Sequence, residues 1–202
     1  MNLKDTYNRI AKDWQRDHKQ DTWWIDGVDK FISFLKPNGA VLDVGCGAGE
    51  KSKYLINKGL NVTGIDFSEK MIEIARREVP GGRFFVADIK DTKTVTGMFD
   101  GIFMQAVLLH IPKNEVMAVL EKLNRKLKSS GCIYIAVKEK RLGGFEEEVK
   151  KEDDCGYPYE RFFSYFGIDE IKEYLKRLGM RVVYENIASS GGRRWIQVIG
   201  QK

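Results

Sequence analysis

Short apolar runs rich in β-branched and aromatic residues alternate with amphipathic stretches from Ala40 to the end of the chain. The runs are AVLDV, NVTGID, RFFVAD, MFDGIFM, CIYIAV, MRVVYENI and RRWIQVIG. Between the second and third runs, apolar residues recur at a spacing of four, as on one face of a helix: Met71, Ala75 and Val79. This alternation is typical of a parallel sheet whose strands are joined by crossover helices, so it predicts an α/β fold.

The last two runs must pair differently, because only ASSGG separates them. A parallel connection needs about a dozen residues or more, whereas an antiparallel pair needs only a short turn. We therefore expect a C-terminal hairpin, and with it a mostly parallel seven-stranded sheet in which one strand is antiparallel.

Two further segments do not fit the strand pattern. Residues 1–38 contain LKDTYNRIAKDWQRD and TWWIDGVDKFISFLKP, which we interpret as two helices, the second ending at Pro37. We expect them to form a helical lid on a core of residues 40–202, within a single domain. Residues 139–159, EKRLGGFEEEVKKEDDCGYPY, are the least regular part, and we expect a mobile charged loop there or, alternatively, a flap over a site.

Composition narrows the class of protein. A chain of 202 residues, 43% hydrophobic and 31% charged, fits one soluble globular domain. Cys46, Cys132 and Cys155 are widely separated and form no C-x-x-C pair, which argues against a disulfide framework and a zinc site. With only two histidines in addition, we expect no bound metal and a reducing, cytoplasmic environment.

Charge and hydropathy limit the partners. The net charge is +5, but most lysines are interleaved with acids, which favours a solvated surface over a nucleic-acid interface. The alternative interface would use five basic residues: Lys138, Lys140, Arg141, Arg193 and Arg194. No apolar run approaches the ~20 residues of a membrane span, and a polar stretch follows Met1, so neither a span nor a signal peptide is expected.

The stretch VLDVGCGAGEKSKYL contains a glycine loop with an acid on each side. A P-loop is excluded because Glu50 stands between Gly49 and Lys51, where phosphate sites need a Gly-Lys pair. The glycine spacing is also one residue short of a dinucleotide fingerprint. Asp43 instead suits a ligand ammonium, directly or through water, and the loop amides suit a carboxylate. S-adenosylmethionine carries both groups and a sulfonium.

Four motifs in order resemble the class I S-adenosylmethionine-dependent methyltransferases. VLDVGCGAGE is similar to the first motif of that family, and VTGIDFSEKMIEIAR resembles its second strand and helix. FFVADIKD resembles the third motif, and FDGIFMQAVLLHIPKNEV resembles the fourth strand with its loop. The resemblance runs from Val41 to the end and implies a Rossmann-like three-layer sandwich. It is closest to compact bacterial small-molecule methyltransferases, including those linked to tellurite resistance.

The resemblance implies a cofactor site along the carboxyl edge of the sheet, where ligands bind in open α/β folds. Asp66 would hold the ribose hydroxyls, and Asp88 would accept a hydrogen bond from the adenine amino group. Cys46 is interpreted as a small loop residue rather than a nucleophile, while Tyr7 and Trp14 are candidates for the lid. The implied cofactor-binding residues are Tyr7, Trp14, Asp43, Gly45, Cys46, Gly47, Gly49, Asp66, Phe67, Met71, Asp88, Ile89, Gln105 and Ala106.

The chemistry implied is direct displacement of the methyl group onto a small N, O or S nucleophile. His110 is the one imidazole expected to face the cleft, and so is the candidate base; the alternative is a structural hydrogen bond near Pro112. The segment from Gln105 to Leu108 replaces the Asn/Asp-Pro-Pro-aromatic motif of enzymes that methylate bases, which favours a small-molecule acceptor. Two other functions remain open: a regulatory module that binds the cofactor without turnover, and a nucleic-acid methyltransferase.

Overall fold

The computed structural model describes residues 2–18, 21–91 and 95–202, and within these it contains six α-helices and nine strands. The helices are α1 (Leu3–His18), α2 (Ile25–Ser33), α3 (Glu50–Asn57), α4 (Glu69–Glu78), α5 (Lys113–Asn124) and α6 (Ile168–Arg177). The strands are β1 (Ala40–Val44), β2 (Asn61–Asp66), β3 (Arg83–Val86), β4 (Phe99–Gln105), β5 (Leu127–Lys138), β6 (Glu147–Glu152), β7 (Tyr159–Ser164), β8 (Arg181–Ser190) and β9 (Arg193–Gln201).

Seven of these strands form the main sheet in the order β3-β2-β1-β4-β5-β9-β8. The pairs from β3 to β5 are parallel, and β9 runs antiparallel to both of its neighbours. The β8–β9 hairpin turns at Gly191 and Gly192, whose φ angles of +55° and +68° suit the tight two-residue turns that glycine favours. The predicted sheet, including its single reversed strand, is confirmed.

Apolar side chains cover both faces of the sheet, which makes the fold a three-layer sandwich. On one face, Leu120 of α5 and Ile171 of α6 belong to a buried cluster with residues of β4 and β5. On the other face, Phe31 of α2 is fully buried and its ring lies 5.8 Å from Phe103 and 5.9 Å from Tyr134. The site is built at one edge of this rigid core.

The N-terminal segment divides into two parts with different roles. Because α2 packs into the sandwich, the expectation of a lid is restricted to α1. Helix α2 also ends at Ser33 rather than Pro37, because the amides of Phe34 and Leu35 bond to carbonyls three residues back and tighten the last turn. Met1, Lys19 and Gln20 of the predicted lid segment lie outside the described residues.

The charged segment 139–159 is more regular than its sequence indicates. Residues 147–152 form β6, which pairs antiparallel with β7 in a separate two-stranded sheet. The expectation of an irregular loop is therefore wrong for residues 147–152. EEVKKE has no apolar alternation, because β6 lies at the surface with no residue fully buried, while β7 contributes the buried side chains. Across residues 2–18, 21–91 and 95–202, no helix is long and apolar enough to cross a bilayer.

Helix α2 packs so closely on β4 that adding one methyl group at Gly101 should destabilise the protein. A Cβ atom at Gly101 would lie 2.6 Å from Cζ of Phe31, so Gly101→Ala should lower the free energy of unfolding by about 1–3 kcal/mol through overpacking. At Gly167 a Cβ meets no atom within 4 Å among the residues described, so Gly167→Ala should change stability by less than about 0.5 kcal/mol. Urea denaturation of both variants measures the difference, and equal stabilities would contradict this packing.

Candidate active site

A cavity of about 890 Å³ opens at the carboxyl edge of the main sheet. The ends of β1, β2, β4 and β5 contribute to its floor, and residues of α1, β6 and β7 line the other side. Every cofactor-binding candidate from the sequence lines it except Asp43 and Gly49, and so does His110. The sheet thus brings together side chains that are up to about a hundred residues apart in sequence.

The three glycines of the loop after β1 all have positive φ angles, but for different reasons. A Cβ at Gly45 would lie 2.5 Å from Val107, and one at Gly49 would lie 3.0 Å from Val79, so both positions are set by packing within the protein. At Gly47, φ is +54°, and a Cβ meets no atom within 4 Å in the part of the chain that the structure describes. Gly47 lines the cavity, and its bare backbone therefore permits the close approach of a ligand.

Asp43 does not line the cavity, which corrects the expectation that it contacts a ligand ammonium directly. Its side chain is turned towards α3, where Ser52 Oγ donates to Asp43 Oδ2 at 2.5 Å. Burial raises the pKa of Asp43 to about 7, even though the Ser52 hydrogen bond lowers it. Successive strand residues alternate between the two faces, and the sequence does not reveal which face Asp43 takes. Its role here is to fix the glycine loop to α3.

Asp66, at the end of β2, does line the cavity and also joins three parts of the chain. Its carboxylate accepts from the Gly47 amide at 3.0 Å and from the Ser68 amide at 2.8 Å. Burial raises the pKa of Asp66 to about 6, against the opposing effect of these two hydrogen bonds. A carboxylate has about four lone-pair sites, so Asp66 retains acceptor capacity towards the cavity.

The end of β4 contains a buried acceptor without a donor. Gln105 lines the cavity, and its Oε1 atom finds no hydrogen-bond partner within the described residues. Leaving such an atom unsatisfied costs about 1–3 kcal/mol, which a donor on a bound ligand would recover. The next residue, Ala106, has a φ of +58°, a left-handed conformation that non-glycine residues rarely adopt. Strain of this kind clusters at functional sites.

His110 is engaged through both ring nitrogens. Its Nδ1 lies 2.7 Å from the carbonyl oxygen of Phe162, and its Nε2 lies 2.7 Å from the Tyr7 hydroxyl. Because a carbonyl only accepts, the proton is on Nδ1, and Nε2 accepts from Tyr7. Burial lowers the pKa of His110 to about 3, so the imidazole is neutral at physiological pH. This geometry favours the structural alternative over the base, and it ties α1 to the loop after β4.

Arg161 of β7 is a cavity residue that the sequence did not indicate. Its guanidinium is buried and donates to Glu152 Oε2 at 2.5 Å, and to the Tyr7 hydroxyl at 3.3 Å. It also lies 4.7 Å from the Trp14 ring centroid and 5.1 Å from that of Phe163. The aromatic residues that flank the core in sequence thus surround this cation. The only signal was one arginine within the strand-like YERFF.

The sequence comparisons agree on one kind of protein. Residues 41–131 match the family model described as "Methyltransferase domain". The chain is 29% identical over 163 residues to the putative methyltransferase YqeM of Bacillus subtilis, covering 76% of this chain and 62% of that protein. It is 32% identical to demethylmenaquinone methyltransferase of Thermotoga maritima, covering 65% and 55%. It is 31% identical to phosphoethanolamine N-methyltransferase 1 of Zea mays, covering 72% and 28%. The chain thus spans less than two thirds of each of these relatives.

Solved structures share the fold over nearly the whole chain. The 1,6-didemethyltoxoflavin-N1-methyltransferase of Burkholderia thailandensis, with S-adenosylhomocysteine bound, superposes with a TM-score of 0.77 at 18% identity, over 99% of this chain and 87% of that one. Magnesium protoporphyrin IX methyltransferase of Synechocystis, also with S-adenosylhomocysteine, gives 0.77 at 21% identity, over 99% and 98%. At such identities the likeness establishes the Rossmann-like fold.

The buried pair between Arg161 and Glu152 predicts a large and specific loss of stability. Burial alone would raise the pKa of Glu152, but the hydrogen bond and charge of Arg161 outweigh it and hold that pKa below its ordinary value. Glu152→Ala leaves a buried guanidinium without its partner and should lower the free energy of unfolding by about 3–5 kcal/mol. Chemical denaturation measures the loss.

The matched control is in the same hairpin. Glu160 forms a long, exposed pair with Lys151 at 3.8 Å, so Glu160→Ala should cost less than about 1 kcal/mol. Replacing both Glu152 and Arg161 by apolar residues should recover most of the loss, because no buried charge remains unpaired. A Glu152→Ala variant as stable as Glu160→Ala would show that the buried pair is not stabilising.

Proposed function

We propose that this chain, which belongs to the class I S-adenosylmethionine-dependent methyltransferases by its motifs and its fold, transfers a methyl group from S-adenosylmethionine to a nitrogen, oxygen or sulfur nucleophile of a small molecule. The observation that carries the proposal is the order of groups along the sheet edge. Asp66 on β2, Gly47 after β1 and Gln105 on β4 line one cavity. Their order across the sheet suits a ligand in which a nucleoside is joined to an amino acid.

The residues of the cavity fit this cofactor. Asp66 would accept hydrogen bonds from the ribose hydroxyls with its remaining lone pairs, while Asp88 and Ile89 would meet the adenine ring at the end of β3. The unsatisfied Oε1 of Gln105 suits the ammonium of the methionine portion, and Gly47 leaves room for the ligand beside the loop. A bound S-adenosylmethionine supplies an electrophilic methyl group on a sulfonium.

The protein's own contribution is alignment and exclusion of water, which is what a direct displacement mainly requires. Tyr7 and Trp14 of α1 lie on the cavity, and α1 is fastened to α4, where Ser68 Oγ donates to Asn8 Oδ1 at 2.7 Å. We assign His110 a positioning role, because it holds the Tyr7 hydroxyl and its lone pair is not free to take a proton from an acceptor.

Two observations support a small-molecule acceptor: the shape of the cavity, and the compounds for which the related proteins are named. The cavity is enclosed by α1 and the β6–β7 hairpin, which suits a small molecule better than a polymer. The relatives and structural neighbours are named for a menaquinone precursor, phosphoethanolamine, a toxoflavin precursor and a porphyrin, all of them small molecules. These names support a small-molecule acceptor for this chain.

Cofactor binding is tested first with a pair of glycine variants. Gly47 and Gly97 both have positive φ angles, and at both a Cβ meets no atom of the described residues within 4 Å. Alanine should strain each loop by about 1–2 kcal/mol, but only at Gly47 does the new methyl group project from the cofactor loop. By calorimetry we expect the wild type and the control variant Gly97→Ala to bind S-adenosylmethionine with micromolar affinity. In Gly47→Ala the affinity should fall at least tenfold.

Turnover is tested with a metabolite extract and an isotopically labelled methyl donor. Label should pass to a small molecule with the wild type and not with Asp66→Ala, which removes the proposed ribose contact. No binding of S-adenosylmethionine by the wild type would reject the proposal. Binding without transfer to any metabolite would instead support a cofactor-binding regulatory module.

The positioning role of His110 is tested by comparing it with Tyr7. His110→Ala and Tyr7→Phe each break the same hydrogen bond, so each should weaken S-adenosylhomocysteine binding several-fold, and the double variant should be little worse than either single one. The shape of the kcat/KM profile between pH 5 and 8 should be the same in His110→Ala as in the wild type, because the pKa of His110 is about 3 and its titration lies outside this range. If His110 were instead the base, His110→Ala would abolish turnover and leave cofactor affinity unchanged.

A further inference from the structure

Lys138, the last residue of β5, carries a partly buried ammonium group at the cavity. Its Nζ atom lies 4.0 Å from the ring centroid of Phe163 and 5.8 Å from that of Trp195. Within the described parts of the chain it makes neither a hydrogen bond nor an ion pair through Nζ. Buried lysines are rare unless they are paired, so a partner for this ammonium group is expected.

The position of Lys138 assigns it to the acceptor side of the cavity. The proposed cofactor contacts follow β2, β1 and β4 in their order across the sheet, and β5 is the next strand. Lys138 pairs in register with Trp195 of β9, one strand further still, and Phe162 and Phe163 of β7 line the same side. A methyl acceptor would lie here, beyond the methionine end of the cofactor.

The charges around Lys138 leave an excess of positive charge on this side. Glu152 neutralises Arg161, and it is also within 3.3 Å of Lys150. Asp154 keeps its negative charge while it accepts from the hydroxyl of Tyr159. The four cations Lys138, Lys150, Arg161 and Arg193 thus outnumber the two acids Glu152 and Asp154 in the lining on this side. The remaining lining cations on this side are Lys138 and Arg193, and Arg193 makes no ion pair with any described residue. Burial first, and then repulsion from Arg161, lower the pKa of Lys138 to about 8.

The other members of the basic set in the sequence are already neutralised or held elsewhere. Lys140 pairs with Glu146, Arg194 pairs with Glu139, and Arg141 donates to the carbonyl oxygen of Gly192. Only Lys138 and Arg193 of that set line the cavity. The uncompensated charge therefore faces a pocket that would receive a small molecule, rather than an open surface.

We propose that the methyl acceptor carries an anionic group, a carboxylate or a phosphate, and that Lys138 binds this group while the ring of Trp195 contacts the apolar body of the acceptor. The proposal rests on the proposed function, since it names the class of acceptor for the same site. An anion beside Lys138 would supply the missing partner of the buried ammonium and gain a charge-assisted hydrogen bond. Arg193, at the rim, would add to the attraction.

The test uses three small aromatic probes with the wild-type protein saturated with S-adenosylhomocysteine. Benzoate and phenyl phosphate carry the two candidate anions, and benzamide is the neutral counterpart of benzoate. By calorimetry at pH 7 we expect at least one anion to bind ten times more tightly than benzamide, and the tighter of the two identifies carboxylate or phosphate as the preferred group.

Variants then locate the source of that preference. Lys138→Met, which keeps the length of the side chain, should abolish the preference, and Lys138→Arg should retain it. Lys176→Met is the matched control, since Lys176 is an exposed lysine on α6 and the preference should be unchanged. S-adenosylhomocysteine affinity should stay within twofold in all three variants, which shows that the cofactor side is intact.

Three outcomes would overturn the inference: an affinity for both benzoate and phenyl phosphate that is no higher than that for benzamide, no detectable binding of either anion, or a preference that survives in Lys138→Met. Each of these, with S-adenosylhomocysteine still bound, rejects the anionic acceptor and leaves methyl transfer standing. A wild-type protein that fails to bind S-adenosylhomocysteine rejects the proposed function itself, so the two failures are distinguishable.

Discussion

The carboxylate of Asp66 holds the cofactor side of the cavity together. By accepting from the amides of Gly47 and Ser68, it fixes the glycine loop after β1 to the end of β2 and to the start of α4. Packing within the protein sets Gly45 and Gly49, whereas the amide of Gly47 is held by Asp66 itself. The proposed ribose contact of Asp66 depends on this arrangement.

A second network, centred on Arg161, holds the cover of the cavity. It connects β6 through Glu152 and α1 through Tyr7, and Tyr7 connects in turn to His110. None of these side chains belongs to the parallel sheet, yet each is buried or partly buried at the same edge. The fold therefore separates two tasks: the sheet edge presents the backbone and the acids, and the added helix and hairpin enclose them.

Sequence reasoning was most successful where periodicity carries the information. The mostly parallel seven-stranded sheet and its reversed strand follow from apolar runs and one short connection, since burial on both faces of a parallel sheet requires such runs. It was less successful for Asp43, because the direction of one side chain at a strand end depends on a twist and register that the sequence does not state. Strand β6 was not predicted for a related reason: EEVKKE does not alternate between apolar and polar residues. Arg161 and Glu152 are separated by a turn, and their pairing is visible only once the hairpin is known.

The Tyr7 hydroxyl has one further consequence. It bonds at once to His110, beside the proposed cofactor, and to Arg161, beside the proposed acceptor. Because both bonds are made by the same hydroxyl, a displacement of α1 that breaks the bond to His110 also breaks the bond to Arg161. The cofactor side and the acceptor side are thus coupled through one hydroxyl of α1, and a substitution at Tyr7 changes both at once.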